Sequence, residues 1–471
     1  MVMDMYELTM SNGYLNQGFK DTWVAFDVFY RNNPDNGGFA IFAGLQQVVE
    51  YIENLHFSEE DVEYLRSKRL FTEEFLEYLL HFRFRGDIYA MKEGTVMYPN
   101  EPVMTVVAPL IDAQLIETTI LLEINHQSLI ATKTNRIVQA ANGKPVSDFG
   151  ARRAHNVDAA VYGARAAYIG GAAGTATVLA GKMFHIPISG TMAHSWVMTF
   201  DSEYDAFKAY AESYPDGTVL LVDTYDVLKS GVPNAIRTAR EVLEPMGKKL
   251  IGIRLDSGDL AYLSKEARKM LDEAGLPDCM IVASNSLDEY TISSLNRQGA
   301  KIDSYGVGER LITSSSTPVF GAVYKLVAIQ KDGKFIPKIK ISETAEKITN
   351  PGIKEVYRVY DENGKAVADY LAVKGEQIRD FEPVRYVDPV NYWKNRSFVG
   401  CRFKKLQVPV FEKGKRIYDL PDIEEIRQYV KDQLENEIWE EEQRFENAHT
   451  HYLDMSPAMF ELKMSLLHEE N

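Results

Sequence analysis

The sequence predicts an α/β protein built on a parallel sheet, and three observations carry that prediction. First, short apolar runs recur between residues 133 and 327, at Pro145–Asp148, Tyr168–Gly171, Ile186–Gly190, Val219–Asp223, Leu250–Asp256, Met280–Ala283 and Ile302–Val307. Second, helix-like segments fill the intervals, most clearly Tyr204–Ser213, Val232–Glu244 and Asp259–Ala274. Strands alternating with helices imply βαβ units and a parallel sheet. Third, nearly every run leads into a residue with functional chemistry: Asp148, Gly171, His194, Asp223, Asp256, Asn285 and Gly308. An open doubly wound sheet and a closed barrel both satisfy the first two observations. The third favours the barrel, which collects all its strand C-termini into one mouth, whereas an open sheet has a single crevice.

The 471 residues exceed one ordinary domain, since about 150 per domain gives two or three. We divide the chain into a mixed α+β N-terminal domain (1–130), an α/β barrel domain carrying the active site (131–330), and a C-terminal hairpin and helix segment (331–471) packing back on the first. In the first domain, Ser58 and Thr72 precede acidic, amphipathic stretches and are placed as helix N-caps. A β-like region follows at Phe84–Ala90, Gly94–Val96 and Glu101–Val107. In the last segment, Asp332-Gly333 and Asn363-Gly364 each interrupt alternating apolar stretches, the sequence signature of a tight hairpin. Pro421 to Phe445 reads as an acidic helix with a solvated face.

Composition excludes several functions. A chain that is 45% hydrophobic and 25% charged has material for a core and is neither disordered nor a disulfide scaffold. Sixty-eight acids against 52 bases leave a formal charge of −16, which repels phosphate backbone and anionic lipid. Nucleic acid and membrane are therefore not expected partners, and an anionic ligand needs its own basic pocket. No apolar run reaches the roughly 18 residues of a membrane span. The start of the chain has no basic, apolar leader pattern. Cys279 and Cys401 form no CxxC and read as reduced thiols, so a cytoplasmic location is expected.

Five stretches carry chemistry. Ser147-Asp148-Phe149-Gly150-Ala151-Arg152-Arg153 places an aromatic ring beside two guanidinium groups, suited to a flat anionic ligand. Ile188–Trp196 leads through a glycine turn to His194, which by itself reads as a structural histidine more readily than as a catalytic one. Val222-Asp223-Thr224 changes that balance, because adjacent barrel strands bring Asp223 near His194. A carboxylate holding one imidazole N–H fixes the tautomer and leaves the other nitrogen as nucleophile or base. Ile253-Arg254-Leu255-Asp256-Ser257-Gly258-Asp259 supplies an arginine for bidentate anion recognition and an aspartate for sugar hydroxyls or Mg²⁺, with Ser257-Gly258 capping the next helix. Ala283-Ser284-Asn285 and Tyr305-Gly306-Val307-Gly308 end the last two strands, where barrel enzymes commonly cradle phosphate. There is no GxxxxGK[ST] motif, and Gly170-Gly171-Ala172-Ala173-Gly174 misses the GxGxxG spacing.

Together with the opening Asp4-Met5-Tyr6-Glu7-Leu8-Thr9-Met10 and Tyr324-Lys325-Leu326-Val327, these stretches resemble the nicotinate phosphoribosyltransferase family of type II phosphoribosyltransferases, in the family's order and over essentially the whole chain. The resemblance implies an irregular parallel α/β barrel with an N-terminal domain over it and a C-terminal segment, acting as a homodimer with shared active sites. It implies ATP-dependent transfer of phosphoribosyl from phosphoribosyl pyrophosphate to nicotinate, a ligase-type reaction of NAD salvage, with Mg²⁺ accompanying the phosphorylated substrates. His194 is then the histidine that ATP phosphorylates, with Asp223 as its carboxylate partner and Asp256 also catalytic. Tyr6 and Phe149 sandwich the pyridine ring, and Arg254 and Thr191 contact the nicotinate end. Arg152, Ser257, Gly258, Ser284, Asn285, Gly306 and Gly308 fall on the phosphoribosyl side. A terminus normally frays, so the ordered motif around Tyr6 is expected to be held against the partner subunit. Glu309 departs from the pattern, which leads one to expect a small hydroxyl residue there.

Among pyridines, a nicotinamide-using relative is expected to carry an acid in the loop Gly174-Thr175-Ala176-Thr177, where this chain has Ala176. A buried carboxylate facing that of nicotinate would cost about 3–5 kcal/mol. Quinolinate would need more bases around the ring. A non-catalytic sugar-phosphate-binding barrel would have no need of the His194–Asp223 pair.

Overall fold

The computed structural model describes residues 1–344 and 347–469. They form two compact units, one made of Met1–Leu129 with Val319–Asn471 and the other of Ile130–Pro318. The boundary at 129/130 falls within the long helix Glu117–Ala140.

The first unit is held together by a sheet that mixes strands from both ends of the sequence. Its seven strands run in the order Lys334–Pro337, Val323–Lys331, Trp23–Phe29, Met104–Pro109, Asp87–Met91, Gln407–Glu412 and Lys415–Arg416, all antiparallel. Every residue of the central strand Met104–Pro109 is buried, and its polar side chain, Thr105, is satisfied by donating to Asp27 Oδ1 at 2.7 Å. Beside it, the rings of Phe26 and Tyr324 stack with centroids 4.5 Å apart. A second sheet of six strands is formed mainly by Lys354–Tyr360, Ala366–Val373 and their neighbours. The buried ion pair of Lys354 with Asp27 ties a strand of this sheet to the first. Both hairpin signatures are realised, with Lys331 opposite Lys334 across Asp332-Gly333 and Tyr360 opposite Ala366 across Asn363-Gly364. Ser58 and Thr72 cap as the sequence predicts, accepting the N–H groups of Asp61 at 3.1 Å and Phe75 at 3.3 Å.

The second unit carries the parallel sheet. Its six strands run in the order Gly174–Thr175, Val146–Asp148, Ser304–Val307, Met280–Ser284, Gly252–Leu255 and Val219–Leu221, and every pairing is parallel. An isolated parallel bridge from Thr175 to Ile188 prolongs one edge. Among the described residues no backbone ladder joins that edge to Val219–Leu221, so the sheet is α/β as predicted but is not closed into a barrel by hydrogen bonds.

Two of the predicted strands are corrected. Tyr168–Gly171 is not a strand; Tyr168 and Ile169 end the helix Val157–Ile169, whose N-cap Asn156 accepts the Ala159 N–H at 2.7 Å. Residues 163–169 of this alanine-rich helix are all buried, so its end shows no polar face and looks like a buried strand. The strand lies further on at Gly174–Thr175, where a Cβ on Gly174 would meet the Pro187 carbonyl oxygen at 2.5 Å. Of Ile186–Gly190, only Ile188 pairs. The remaining five runs hold strands near their predicted places.

Candidate active site

The parallel strands deliver their functional residues to one cleft of about 290 Å³, lined among others by Phe149, Arg152, Arg254, Asp256, Ser284, Asn285, Gly306 and Gly308. In Gly252–Leu255, Ile253 and Leu255 are fully buried, so pleat alternation turns Arg254 to the other face. There its guanidinium is fixed on several sides. Nε donates to Ser284 Oγ at 2.8 Å, Nη1 to Thr191 Oγ1 at 3.0 Å and Nη2 to Asp256 Oδ1 at 2.7 Å. Its central carbon stands 5.6 Å from the centroid of the Phe149 ring. The Ser284 hydroxyl donates in turn to Asp256 Oδ1. A planar cation beside an aromatic face suits a flat carboxylate ligand.

His194 opens the helix His194–Thr199, and its ring is 41% exposed. Its Nδ1 is 3.1 Å from Thr224 Oγ1. Its Nε2 is 3.9 Å from Asp223 Oδ1 and 3.9 Å from Asp256 Oδ2, just beyond hydrogen-bond distance. The Asp223 side chain is 1% exposed. Its Oδ2 accepts the Asp256 N–H at 3.0 Å and the Ser257 hydroxyl at 2.6 Å, while Oδ1 is buried without a hydrogen-bond partner. A buried acceptor left empty costs about 1–3 kcal/mol, so Oδ1 is poised to take a proton donor.

The rest of the cleft is loop backbone. Asn285 and Ser286 both adopt left-handed conformations, with φ of 85° and 52°, so the chain turns sharply after Met280–Ser284. Such strain persists where the surroundings impose it, commonly at functional sites. Asp288 then caps the helix Glu289–Arg297 through the Thr291 N–H at 2.7 Å and pairs with Arg310 at 2.5 Å, joining the loops after the last two strands. Burial alone would raise the Asp288 carboxyl, but these partners outweigh it and hold its pKa low.

The sequence-predicted residues thus divide. His194, Asp223, Asp256, Arg254, Thr191 and Ser284 form one connected cluster, and Phe149 faces it. Ser257 reaches the cluster through Asp223, so the expected Ser257-Gly258 cap is corrected: Asp259 caps the helix Leu260–Glu273, accepting the Tyr262 N–H at 3.0 Å. Gly258 supplies the left-handed turn, with φ of 78°. Asp148 is buried and structural, accepting from Gly150 N–H and the Thr175 hydroxyl, each at 2.8 Å; burial pushes its carboxyl pKa up. Tyr6 belongs to the first unit, on the helix Met5–Asn16, where burial and the Glu117 carboxylate push its phenol pKa up. Thr224 and Arg310 escaped the sequence reading. The only signal for Thr224 was its place next to Asp223.

Known proteins fit this arrangement. The models of the nicotinate phosphoribosyltransferase N-terminal domain, family and C-terminal domain match residues 1–125, 145–363 and 353–463. The chain is 47% identical over 467 residues to a nicotinate phosphoribosyltransferase of Bacillus subtilis (strain 168), covering 99% of this chain and 94% of that one. It is 41% identical over 433 residues to one of Mycobacterium tuberculosis (strain H37Rv), covering 92% and 86%. The crystal structure of the human nicotinic acid phosphoribosyltransferase superposes with a TM-score of 0.88 at 26% identity, covering 99% of this chain and all of that one. With the cluster, the parallel sheet and these matches in agreement, the chain belongs to the nicotinate phosphoribosyltransferase family.

Proposed function

We propose that the chain transfers phosphoribosyl from phosphoribosyl pyrophosphate to nicotinate, giving nicotinate mononucleotide for NAD salvage, with ATP hydrolysis coupled through phosphorylation of His194. The observation that carries the reading is the Arg254 guanidinium held against the Phe149 ring, a few ångströms from the His194–Asp223–Asp256 cluster. Arg254 and Thr191 take the nicotinate carboxylate, and Phe149 stacks on the ring. The pyridine nitrogen lone pair forms the bond to ribose C1 while the C1–O bond breaks and its electron pair leaves on pyrophosphate. Positive charge builds on the sugar in between, so positioning and fixed charges do most of the catalysis.

The turn at Asn285–Ser286, Gly306 and Gly308, with Arg152, is assigned to the phosphoribosyl and pyrophosphate groups, and Ser257-Gly258 to the same side. Mg²⁺ bound through substrate phosphates needs one or two protein carboxylates. Asp256 fits that demand, because its Oδ1 is committed to Arg254 and Ser284 while Oδ2 is not. When bound, the ion neutralises the leaving pyrophosphate.

Nicotinate is preferred over nicotinamide because the exposed Ala176, just past Gly174–Thr175, adds no carboxylate to repel the acid. We further assign a cytoplasmic homodimer in which Tyr6 of one subunit completes the site of the other. The test is purified protein with Mg²⁺, ATP and phosphoribosyl pyrophosphate, offered nicotinate, nicotinamide or quinolinate, with products resolved chromatographically. Selective, ATP-stimulated formation of nicotinate mononucleotide is expected; equal use of nicotinamide would overturn the specificity.

A further inference from the structure

We propose that Thr224 is a positioning residue for His194, setting both the orientation and the tautomer of its ring; its consequence for turnover rests on the phosphohistidine reading above. The geometry around the imidazole is two-sided. On one edge, Nε2 faces two carboxylate oxygens at 3.9 Å, Asp223 Oδ1 and Asp256 Oδ2. On the other, among the described residues, Nδ1 has the Thr224 hydroxyl at hydrogen-bond distance, 3.1 Å. The unpartnered carboxylate oxygen of Asp223 favours a hydrogen at Nε2, and with that tautomer Nδ1 carries the lone pair and the Thr224 O–H donates to it.

This hydrogen bond restrains the ring. His194 stands at the first position of a six-residue helix, its side chain is 41% exposed, and neither carboxylate reaches it at hydrogen-bond distance. A half-turn about χ2 would put Cδ2 where Nδ1 stands and Cε1 where Nε2 stands, losing the Thr224 bond and turning the N–H away from Asp223 and Asp256, so the hydroxyl favours the ring orientation seen. Thr224 itself follows directly on Asp223, just past the strand Val219–Leu221, so one short segment sets both edges of the ring. The empty, buried Oδ1 of Asp223 completes the argument: it is an acceptor without a donor, and the ring that Thr224 holds presents an N–H toward it.

The tests are Thr224→Val, which keeps the shape and removes the hydroxyl, and Thr224→Ser, which keeps the hydroxyl. Loss of one orienting hydrogen bond is expected to slow labelling of His194 by γ-labelled ATP about tenfold. The ATP-stimulated kcat should fall in parallel while KM for nicotinate stays within about twofold, and Thr224→Ser should restore both. The imidazole nitrogen chemical shifts of isotope-labelled His194, assigned by their disappearance in His194→Gln, report the tautomer without any turnover. They should show an Nε2–H ring in the wild type and in Thr224→Ser, and a tautomer mixture in Thr224→Val. Unchanged nitrogen shifts in Thr224→Val would overturn the proposal. If wild-type protein takes no label at all, the phosphohistidine reading falls, and the nitrogen shifts still decide the role of Thr224.

Discussion

The Phe149 ring lies across the backbone of Gly306 so closely that a Cβ on residue 306 would sit 2.4 Å from two of its ring carbons. Glycine is needed there for the approach and not for a turn. Gly306→Ala must therefore push the ring off its place beneath Arg254. Overpacking of this kind costs about 1–3 kcal/mol. We expect a lower melting temperature together with a KM for nicotinate raised about tenfold, measured by thermal denaturation and steady-state kinetics. An unchanged KM would mean that Phe149 does not stack on the substrate.

His194→Ala should abolish acid-labile labelling by γ-labelled ATP and the stimulation by ATP, leaving slow ATP-independent transfer. Asp223→Asn should keep the fold but slow labelling strongly, since an amide cannot stabilise an imidazolium. Rapid-quench labelling at wild-type rate in the asparagine variant would make Asp223 structural.

Ala176→Asp should lower kcat/KM for nicotinate by up to about fivefold if the new carboxylate faces that of the substrate, since residue 176 is exposed and a solvent-screened charge contact contributes at most about 1 kcal/mol. The nicotinamide-to-nicotinate ratio should rise accordingly, chiefly through loss of the acid. Competition assays with both pyridines read this directly. No change would place residue 176 away from the carboxylate.

Glu7 gives a pH prediction. It is fully buried; its Oε1 accepts the Thr118 N–H at 3.0 Å and the Thr118 hydroxyl, while Oε2 has no partner. Burial, opposed by those hydrogen bonds and aided by Glu117, pushes its pKa from 4.5 up to about 7. A raised carboxyl stabilises the fold fully below the unfolded value, and that contribution disappears as pH rises through the folded one. Stability from this group should thus fall between about pH 4.5 and 7 and be absent above. Glu7→Gln should flatten that slope in denaturant titrations run across the interval. A wild-type slope in the variant would assign the effect to other groups.

Tyr6→Ala should raise KM for nicotinate up to about tenfold, since stacking contributes about 0.5–1.5 kcal/mol. Mixing Tyr6→Ala with His194→Ala subunits tests the shared site. If the two residues act from different subunits, each heterodimer keeps one intact site and recovers about half the ATP-dependent activity. No recovery after verified subunit exchange would put both residues in one chain's site.

What the sequence made legible was local chemistry tied to a turn or a cap. Ser58, Thr72, Asp332-Gly333 and Asn363-Gly364 act through neighbours a few residues away, and the structure keeps each as read. Arg254 and Asp256 were also visible, because a charged pair at a strand end has few structural explanations. The end of Val157–Ile169 was not, since a helix buried on every side loses the polar face that marks its period. Thr224 was hidden behind its neighbour: a hydroxyl is informative only once its partner nitrogen is located. The ordered start of the chain was read as a partner contact, yet an intrachain tie is present. Glu7 binds Thr118, and the Thr119 hydroxyl donates to the Val2 carbonyl at 2.9 Å. Contacts across more than a hundred residues leave no periodic trace.

The sheet that interleaves both ends of the sequence has a consequence for synthesis. Trp23–Phe29 lies between Val323–Lys331 and Met104–Pro109, and Asp87–Met91 lies between Met104–Pro109 and Gln407–Glu412. As the chain leaves the ribosome, the first three of these strands emerge early with two ladder edges unfilled until residues beyond 319 follow. The segment Ile130–Pro318 has all its sheet partners sooner. Translation order and folding order therefore diverge: the middle can consolidate first, while the earliest strands wait with open edges prone to pairing with other chains. Stalling or truncation after residue 318 should yield an aggregating product even though every residue of the His194 cluster has already been made.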